Sequence, residues 1–190
     1  MSKTIVITGA SRGIGYALVQ LASSYGHKVY ALSRNISPIN KTAQVHPIKI
    51  DIVKENTLSV FLDELQKDKV KIDVLINNAG VLINKPFSKT TAEDFELVYR
   101  VNVFGLASLT RILIPHIDSK GHVVNISSMG GIDGSSKFPG LAAYSSSKGA
   151  LNILTELLAE EYKDTGPAFN SLALGAVQTE MLTQAFPGFQ

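Results

Sequence analysis

The chain opens with a β-branched run, Thr4-Ile5-Val6-Ile7-Thr8, that stops at Gly9-Ala10-Ser11-Arg12-Gly13-Ile14-Gly15. It resumes as an apolar series at helical spacing: Ile14, Ala17, Leu18, Leu21, Ala22 and Tyr25. Strand, glycine turn and helix in that order leave few folds open. The glycines let backbone approach a ligand closely and aim a helix N-terminus, with its partial positive charge, at a phosphate. A nucleotide pyrophosphate suits such a turn. Its G-x3-G-x-G spacing departs from G-x-G-x-x-G, however, and a glycine-rich turn without a ligand would look similar.

Lys28-Val29-Tyr30-Ala31-Leu32-Ser33-Arg34 supplies a second strand and completes a βαβ unit. Where an NAD-binding unit tends to carry an acidic residue for the ribose 2′-OH, this strand ends in Ser33-Arg34, and a basic residue suits a 2′-phosphate. Arg12 in the turn can reach the same phosphate, so two guanidiniums offer forked donors to a dianion; the other reading makes both solvated surface arginines. A third strand is expected over Val45–Ile52. Its Asp51 would accept from an adenine amino group while Ile52 packs on the ring, unless Asp51 simply forms a turn.

Leu58, Phe61, Leu62 and Leu65 mark an amphipathic helix, and the Lys67–Lys71 charge run behind it reads as a solvated helix end. Ile72–Ile76 is a continuous apolar strand of the kind buried on both faces of a parallel sheet. It runs into Asn77-Asn78-Ala79-Gly80, amides and small residues that suit either a flat ligand passing close to the backbone or a plain turn. A helix pattern across Phe95, Leu97, Val98, Val101, Phe104 and Leu106 holds Asn102 within it, as a satisfied core amide or as the organiser of a buried polar or water site. Gly121–Ser128 reads as a fifth strand ending in two hydroxyls, and Gly131–Gly140 as a loop lining a substrate mouth. Ala168–Leu174 is a sixth strand, followed by Gly175, Val177 and Thr179. Strands alternating with helices in this way predict a single α/β domain over residues 1–190, a doubly wound parallel sheet with ligands across the carboxyl ends of its strands.

Tyr144-Ser145-Ser146-Ser147-Lys148 opens the helix that continues through Leu151, Leu154, Leu157, Leu158 and Tyr162, and places a phenol and an ammonium on one helix face. A free tyrosine titrates at about 10, whereas a cation at ~4 Å contributes about 4 kcal/mol at an effective dielectric of about 20. The phenol pKa could then fall by up to about three units, toward the range that acid/base catalysis needs. Taken alone, the same spacing describes a snorkelling surface pair.

With 190 residues, 45% hydrophobic and 18% charged, the chain can bury one sizeable core. A formal net charge of +2 is too small to argue for nucleic acid or a membrane surface. No apolar run reaches the ~18 residues that span a bilayer, and no signal-peptide pattern precedes the first strand, so the expected location is the cytoplasm. The absence of cysteine fits a reducing compartment and excludes disulfides, thiol catalysis and thiolate metal sites. His27, His46, His116 and His122 show no i, i+4 metal pairing and Met129 stands alone; all five read as structural, and no metal is expected.

Taken together, Thr8-Gly9-Ala10-Ser11-Arg12-Gly13-Ile14-Gly15, Asn77-Asn78-Ala79-Gly80 and Tyr144 with Lys148 resemble the TGxxxGxG, NNAG and YxxxK motifs of the short-chain dehydrogenase/reductase family, over nearly the whole chain. The resemblance implies a Rossmann-type domain and a tetrad of Asn102, Ser128, Tyr144 and Lys148. Ser128 would hold the substrate oxygen, Tyr144 would exchange its proton, Lys148 would lower the phenol pKa while binding ribose hydroxyls, and Asn102 would support a proton-relay water. Cofactor contacts are implied at Gly9, Ser11, Arg12, Gly13, Ile14, Gly15, Ser33, Arg34, Asp51, Ile52, Asn78, Ala79, Gly80, Tyr144, Lys148, Gly175, Val177 and Thr179. Ser33 stands where NAD-preferring members tend to carry Asp, so NADP(H) is expected rather than NAD(H). The implied reaction is hydride transfer to or from a small carbonyl or alcohol, in a homodimer or homotetramer of the full-length protein. A dinucleotide-sensing or scaffold protein of the same fold, or an epimerase or dehydratase using the Tyr/Lys pair, are the other expectations. Three departures stand out: Ser128 and Tyr144 are sixteen positions apart, enlarging the loop between them; Leu174 replaces the proline of a Pro-Gly pair; and the chain stops at Gln190, apparently lacking the C-terminal segment that covers substrate in relatives.

Overall fold

The computed structural model describes residues 1–67 and 70–188. Asp68 and Lys69, within the Lys67–Lys71 charge run, lie outside them, as do Phe189 and Gln190. Among the described residues the strands are β1 (Thr4–Thr8), β2 (Lys28–Ser33), β3 (Val45–Lys49), β4 (Ile72–Asn77), β5 (Ile117–Ser128) and β6 (Ala168–Leu174). They form one parallel sheet in the order β3-β2-β1-β4-β5-β6. The chain runs outward from β1 on one side and from β4 on the other. The crevice where these two windings part lies at the carboxyl ends, where such sheets bind ligands.

Alternate strand residues go to opposite faces, and each face finds its own helices. Val6, Tyr30, Leu32, Leu75 and Val123 pack with Phe61 and Leu65 of α2 (Ser59–Lys67) and with Leu109 and Leu113 of α4 (Leu106–Leu113). Leu158 and Tyr162, at the end of α5 (Ala142–Glu161) and just beyond it, close the same layer. Ile5, Ile7, Val29 and Ala31 meet Val19 of α1 (Gly13–Ser24) on the other face. Each fully buried Val, Leu, Ile or Phe contributes about 1.5–3 kcal/mol, which explains why β1 and β4 read as continuous apolar runs.

Several boundaries differ from those the sequence suggests. β3 ends at Lys49, so Asp51 and Ile52 lie just past it. β5 starts at Ile117 rather than Gly121, with a register irregularity against β4 between Ile72 and Val74. The helix expected to open on Tyr144 begins at Ala142, which puts Tyr144 inside its first turn. Helix α3 (Ala92–Tyr99) starts with a capping box, the Thr91 hydroxyl accepting from the Asp94 N–H and the Asp94 carboxylate from the Thr91 N–H. It does not pass straight into α4: Arg100–Gly105 form a wider π-helical turn, and Asn102 sits in it. The whole run Ala92–His116, 25 residues with a mean hydropathy of 1.4 in its most apolar window, is long and apolar enough by composition to cross a membrane. Its Val98, Leu106, Leu109 and Leu113 are instead buried against the rest of the domain. A short helix, α6 (Glu180–Ala185), follows Thr179.

Candidate active site

A cleft of about 340 Å³ opens at the carboxyl ends of the strands. Gly9, Ser11, Arg12, Gly13 and Ile14 line one end, with Ser33 and Arg34 after β2 and Asp51 and Ile52 after β3. Asn78, Ala79 and Gly80 form the middle, and Ser128, Tyr144 and Lys148 the other wall, beside Gly175, Val177 and Thr179. Of the site residues expected from sequence, Gly15 and Asn102 stand behind the wall rather than on it, both buried.

Gly15 is set back because it closes the turn. A Cβ there would fall 2.3 Å from the Gly9 carbonyl oxygen and 2.5 Å from Asn78 Nδ2, while Gly9 itself adopts φ +65°, a conformation that suits glycine. Asn78 fastens the turn to β4: its Nδ2 donates to the carbonyls of Thr8 (3.0 Å) and Gly9 (3.3 Å), and the Thr8 hydroxyl accepts from the Asn78 and Ala79 N–H groups. Helix α1 starts with no side-chain cap and no acidic residue in its first turn. Its N-terminal N–H groups and dipole therefore face the cleft in the way an anion requires, and this cradle fits a dinucleotide pyrophosphate.

The charged residues around it are already partly engaged. Arg12 pairs with Glu180 of α6 at 3.7 Å, a partner that no pattern in the sequence points to, while Arg34 is exposed. Ser33 donates to the Ser11 hydroxyl at 2.9 Å, tying β2 to the turn. Asp51 accepts weakly from the Val53 N–H at 3.3 Å, so it is a turn former as well as a cleft residue. Thr179 caps α6, its hydroxyl accepting from the Leu182 N–H.

At the other end, Ser128 and Tyr144 stand on the same wall, the Ser128 hydroxyl near enough to the phenol to pull its pKa down. Ser127, buried beside Ser128, donates its hydroxyl to the Lys148 carbonyl of α5, while Ser128 is the less buried hydroxyl on the wall. Lys148 departs from expectation. Its ammonium donates to the Ile126 carbonyl at 2.7 Å and lies 5.7 Å from the centroid of the Tyr144 ring. The phenol pKa is pushed up by burial, opposed by the neighbouring Ser128 hydroxyl, where the helical spacing predicts a lowering by the cation. Burial also lowers Lys148, from 10.5 to about 8. Gly80 lies beside the ammonium: a Cβ there would come 3.7 Å from Nζ, an ordinary contact distance. Asn102, fully buried, spends its amide on backbone and a neighbouring hydroxyl: Oδ1 accepts from the Val81 N–H, and Nδ2 donates to the Val81 carbonyl and to Ser147.

Comparison with known proteins gives this geometry its family. A family model described as short chain dehydrogenase matches residues 3–188. The chain belongs to the short-chain dehydrogenase family. It is similar to 2-(R)-hydroxypropyl-CoM dehydrogenase of Xanthobacter autotrophicus, with 31% identity over 95% of this chain and 77% of the relative. Cyclopentanol dehydrogenase of Comamonas sp. shares 30% identity over 96% of this chain and 76% of its own length. Among solved structures, 4-hydroxyisoleucine dehydrogenase complexed with NADH superposes with a TM-score of 0.85 at 30% identity, covering 96% of this chain and 77% of that one. The 3-ketoacyl-(acyl-carrier-protein) reductase of Brucella melitensis complexed with NADH gives 0.85 at 29%, covering 95% and 78%. This short-chain dehydrogenase is thus an oxidoreductase of a family whose members bind nicotinamide dinucleotides and act on small molecules.

Sequence reasoning missed the apolar part of its cleft. Leu82, Met129, Phe138, Leu141, Met181, Leu182 and Phe186 line it, and Met129, read as structural, is one of them. Leucine and phenylalanine in loops carry no motif, and only the enlarged loop before Tyr144 hinted where they would gather.

Proposed function

We propose that this short-chain dehydrogenase transfers a hydride between NADP(H) and a carbonyl compound or secondary alcohol, with Asn102, Ser128, Tyr144 and Lys148 as its working residues. The observation that carries it is that Ser128, Tyr144 and Lys148 line one wall of the same cleft, two hydroxyls with a buried ammonium alongside. Relatives named for hydroxyl-bearing compounds, cyclopentanol and 2-(R)-hydroxypropyl-CoM, support the alcohol/carbonyl assignment.

The glycine turn from Gly9 to Gly15 would hold the pyrophosphate, Asp51 and Ile52 the adenine, Asn78 to Gly80 the middle of the dinucleotide, and Gly175, Val177 and Thr179 its nicotinamide end. Bound nicotinamide supplies or accepts the hydride. Ser128 donates a hydrogen bond to the substrate oxygen and Tyr144 passes its proton to that oxygen as the carbon is reduced, or takes it back in the reverse direction. A phenol kept protonated by burial suits the reducing direction at neutral pH. Lys148 is held by the Ile126 carbonyl at the Gly80 side of the cleft, ready to meet ribose hydroxyls. Asn102 fixes Val81 and α5, and through them the shape of the wall. NADP(H) is favoured over NAD(H) by Arg34 and Arg12 beside Ser33, where a 2′-phosphate would sit. NADH, present in two solved relatives, is the competing choice. Work in the cytoplasm fits a chain without cysteine. Self-association, as dimer or tetramer, is supported by the exposed Leu97, Phe104, Ile153 and Leu157 on the α3-to-α4 run and α5; Leu157→Glu should lower the sedimentation coefficient.

Tyr144→Phe tests the central assignment. Turnover of ketones with NADPH should disappear while cofactor affinity stays within about twofold; retained turnover would overturn it.

A further inference from the structure

Hydride transfer at Tyr144 leaves the rest of the substrate open, and the lining of the cleft beyond Ser128 and Tyr144 narrows it. Three segments are stitched together there. The Lys85 N–H donates to the Gly140 carbonyl at 2.9 Å, joining the loop after β4 to the approach to α5. Asn84 Nδ2 donates to the Ala185 carbonyl at 2.7 Å, joining the same loop to the end of α6. The first two segments touch closely: Gly140 adopts φ +87°, and a Cβ on it would lie 2.0 Å from Asn84 Oδ1. The enlarged loop before Tyr144 is closed on itself by Lys137, whose ammonium donates to the carbonyls of Ile132 (2.7 Å) and Ser135 (2.9 Å) and so turns to its own backbone. The next residue, Phe138, is on the cleft wall.

The side chains that line this end are Leu82, Met129, Phe138, Leu141, Leu182 and Phe186, none of them charged. Charged residues of the cleft lie elsewhere or are occupied. Arg34 and Asp51 follow β2 and β3, Arg12 and Glu180 pair beside the glycine turn, and Lys148 is bound to the Ile126 carbonyl. Ser128 and Tyr144 supply two hydroxyls, enough for one oxygen.

We propose that the substrate is a neutral, mostly hydrocarbon ketone or secondary alcohol, that compounds carrying a carboxylate or phosphate near the reacting carbon are rejected, and that Phe138 sets this preference at the mouth. The proposal presupposes hydride transfer at Tyr144. An anion brought to this wall would lose its water and, among the described residues, meet no cation beyond the Lys148 ammonium already bound to the Ile126 carbonyl, and a site discriminates most strongly when a polar group is left unpaired in it.

Binding and turnover test it separately. In the enzyme–NADPH complex, nicotinamide fluorescence should report hexanamide binding at least 10-fold more tightly than hexanoate. With the same cofactor, kcat/KM for 2-octanone should exceed that for 2-oxooctanoate by 100-fold or more, and Phe138→Arg should shrink that ratio at least 10-fold. Hexanoate binding as tightly as hexanamide, or equal turnover of the keto acid, would overturn the proposal, and an unchanged ratio in Phe138→Arg would remove Phe138 from it. Tighter amide binding with no ketone turned over would uphold the apolar site and instead overturn hydride transfer at Tyr144.

Discussion

Asn102 holds Val81 by two hydrogen bonds, its Oδ1 accepting from the Val81 N–H at 2.8 Å and its Nδ2 donating to the Val81 carbonyl at 3.0 Å. A third bond, from Nδ2 to the Ser147 hydroxyl at 3.0 Å, reaches α5 one residue before Lys148. One fully buried amide thus joins the π-helical turn, the cleft floor and the helix that carries Tyr144. Widened turns of this kind recur at functional sites because they re-aim a side chain within an otherwise continuous helix.

Replacing that amide should therefore cost both stability and geometry. Asn102→Ala leaves a buried N–H and carbonyl without partners, a loss of about 1–3 kcal/mol per uncompensated group. Urea denaturation should show a destabilisation of about that size, with kcat lowered more than cofactor affinity.

Lys148 gives a pH signature. Its pKa falls from 10.5 in the open chain to about 8 in the fold because burial disfavours the ammonium. Between those values the unfolded chain binds more protons, so stability rises with pH; below about pH 8 the whole cost of burial is present. Relative to Lys148→Met, the unaltered protein should gain up to about 2 kcal/mol from about pH 8 to about pH 9.5, at 1.36 kcal/mol per unit. Tyr144, shifted upward, lowers stability only above its ordinary 10.0 and leaves that window clear. Denaturation midpoints that rise equally in both proteins would contradict the assignment.

The Arg12–Glu180 pair sets a carboxylate where a 2′-phosphate would compete for the same guanidinium. Glu180→Gln should tighten NADPH by about 2- to 5-fold and leave NADH nearly unchanged, a small effect because an exposed pair is worth at most about 1 kcal/mol. Arg34→Asp should act the opposite way and shift the kcat/KM ratio toward NADH. Fluorescence titration with both cofactors separates the two.

Gly15→Ala probes the turn. The added methyl would press on the Gly9 carbonyl and Asn78, so overpacking should cost about 1–3 kcal/mol of stability. Dinucleotide affinity should fall at least 10-fold, since the displaced atoms belong to the phosphate cradle; calorimetric titration measures it.

Taken by itself, the sequence determined the parallel sheet, the order of its strands along the chain, and the placement of Gly9–Ile14, Asn78–Gly80, Ser128 and Tyr144 at one rim. Those features are local: period-two and helical patterns, glycine at a turn and a hydroxyl at a strand end act over a few residues, and the handedness of βαβ units does the rest. What only the tertiary structure decided is where the long side chains send their polar ends. Helical spacing put Lys148 beside Tyr144, but the ammonium chose the Ile126 carbonyl, 22 residues away. The fold likewise widened the helix at Asn102, drew Arg12 to Glu180 and brought Phe138 to the mouth. Each of these depends on an acceptor, a void or a counter-charge contributed by a distant segment, and a buried polar group must find its partner there because water is not available to it.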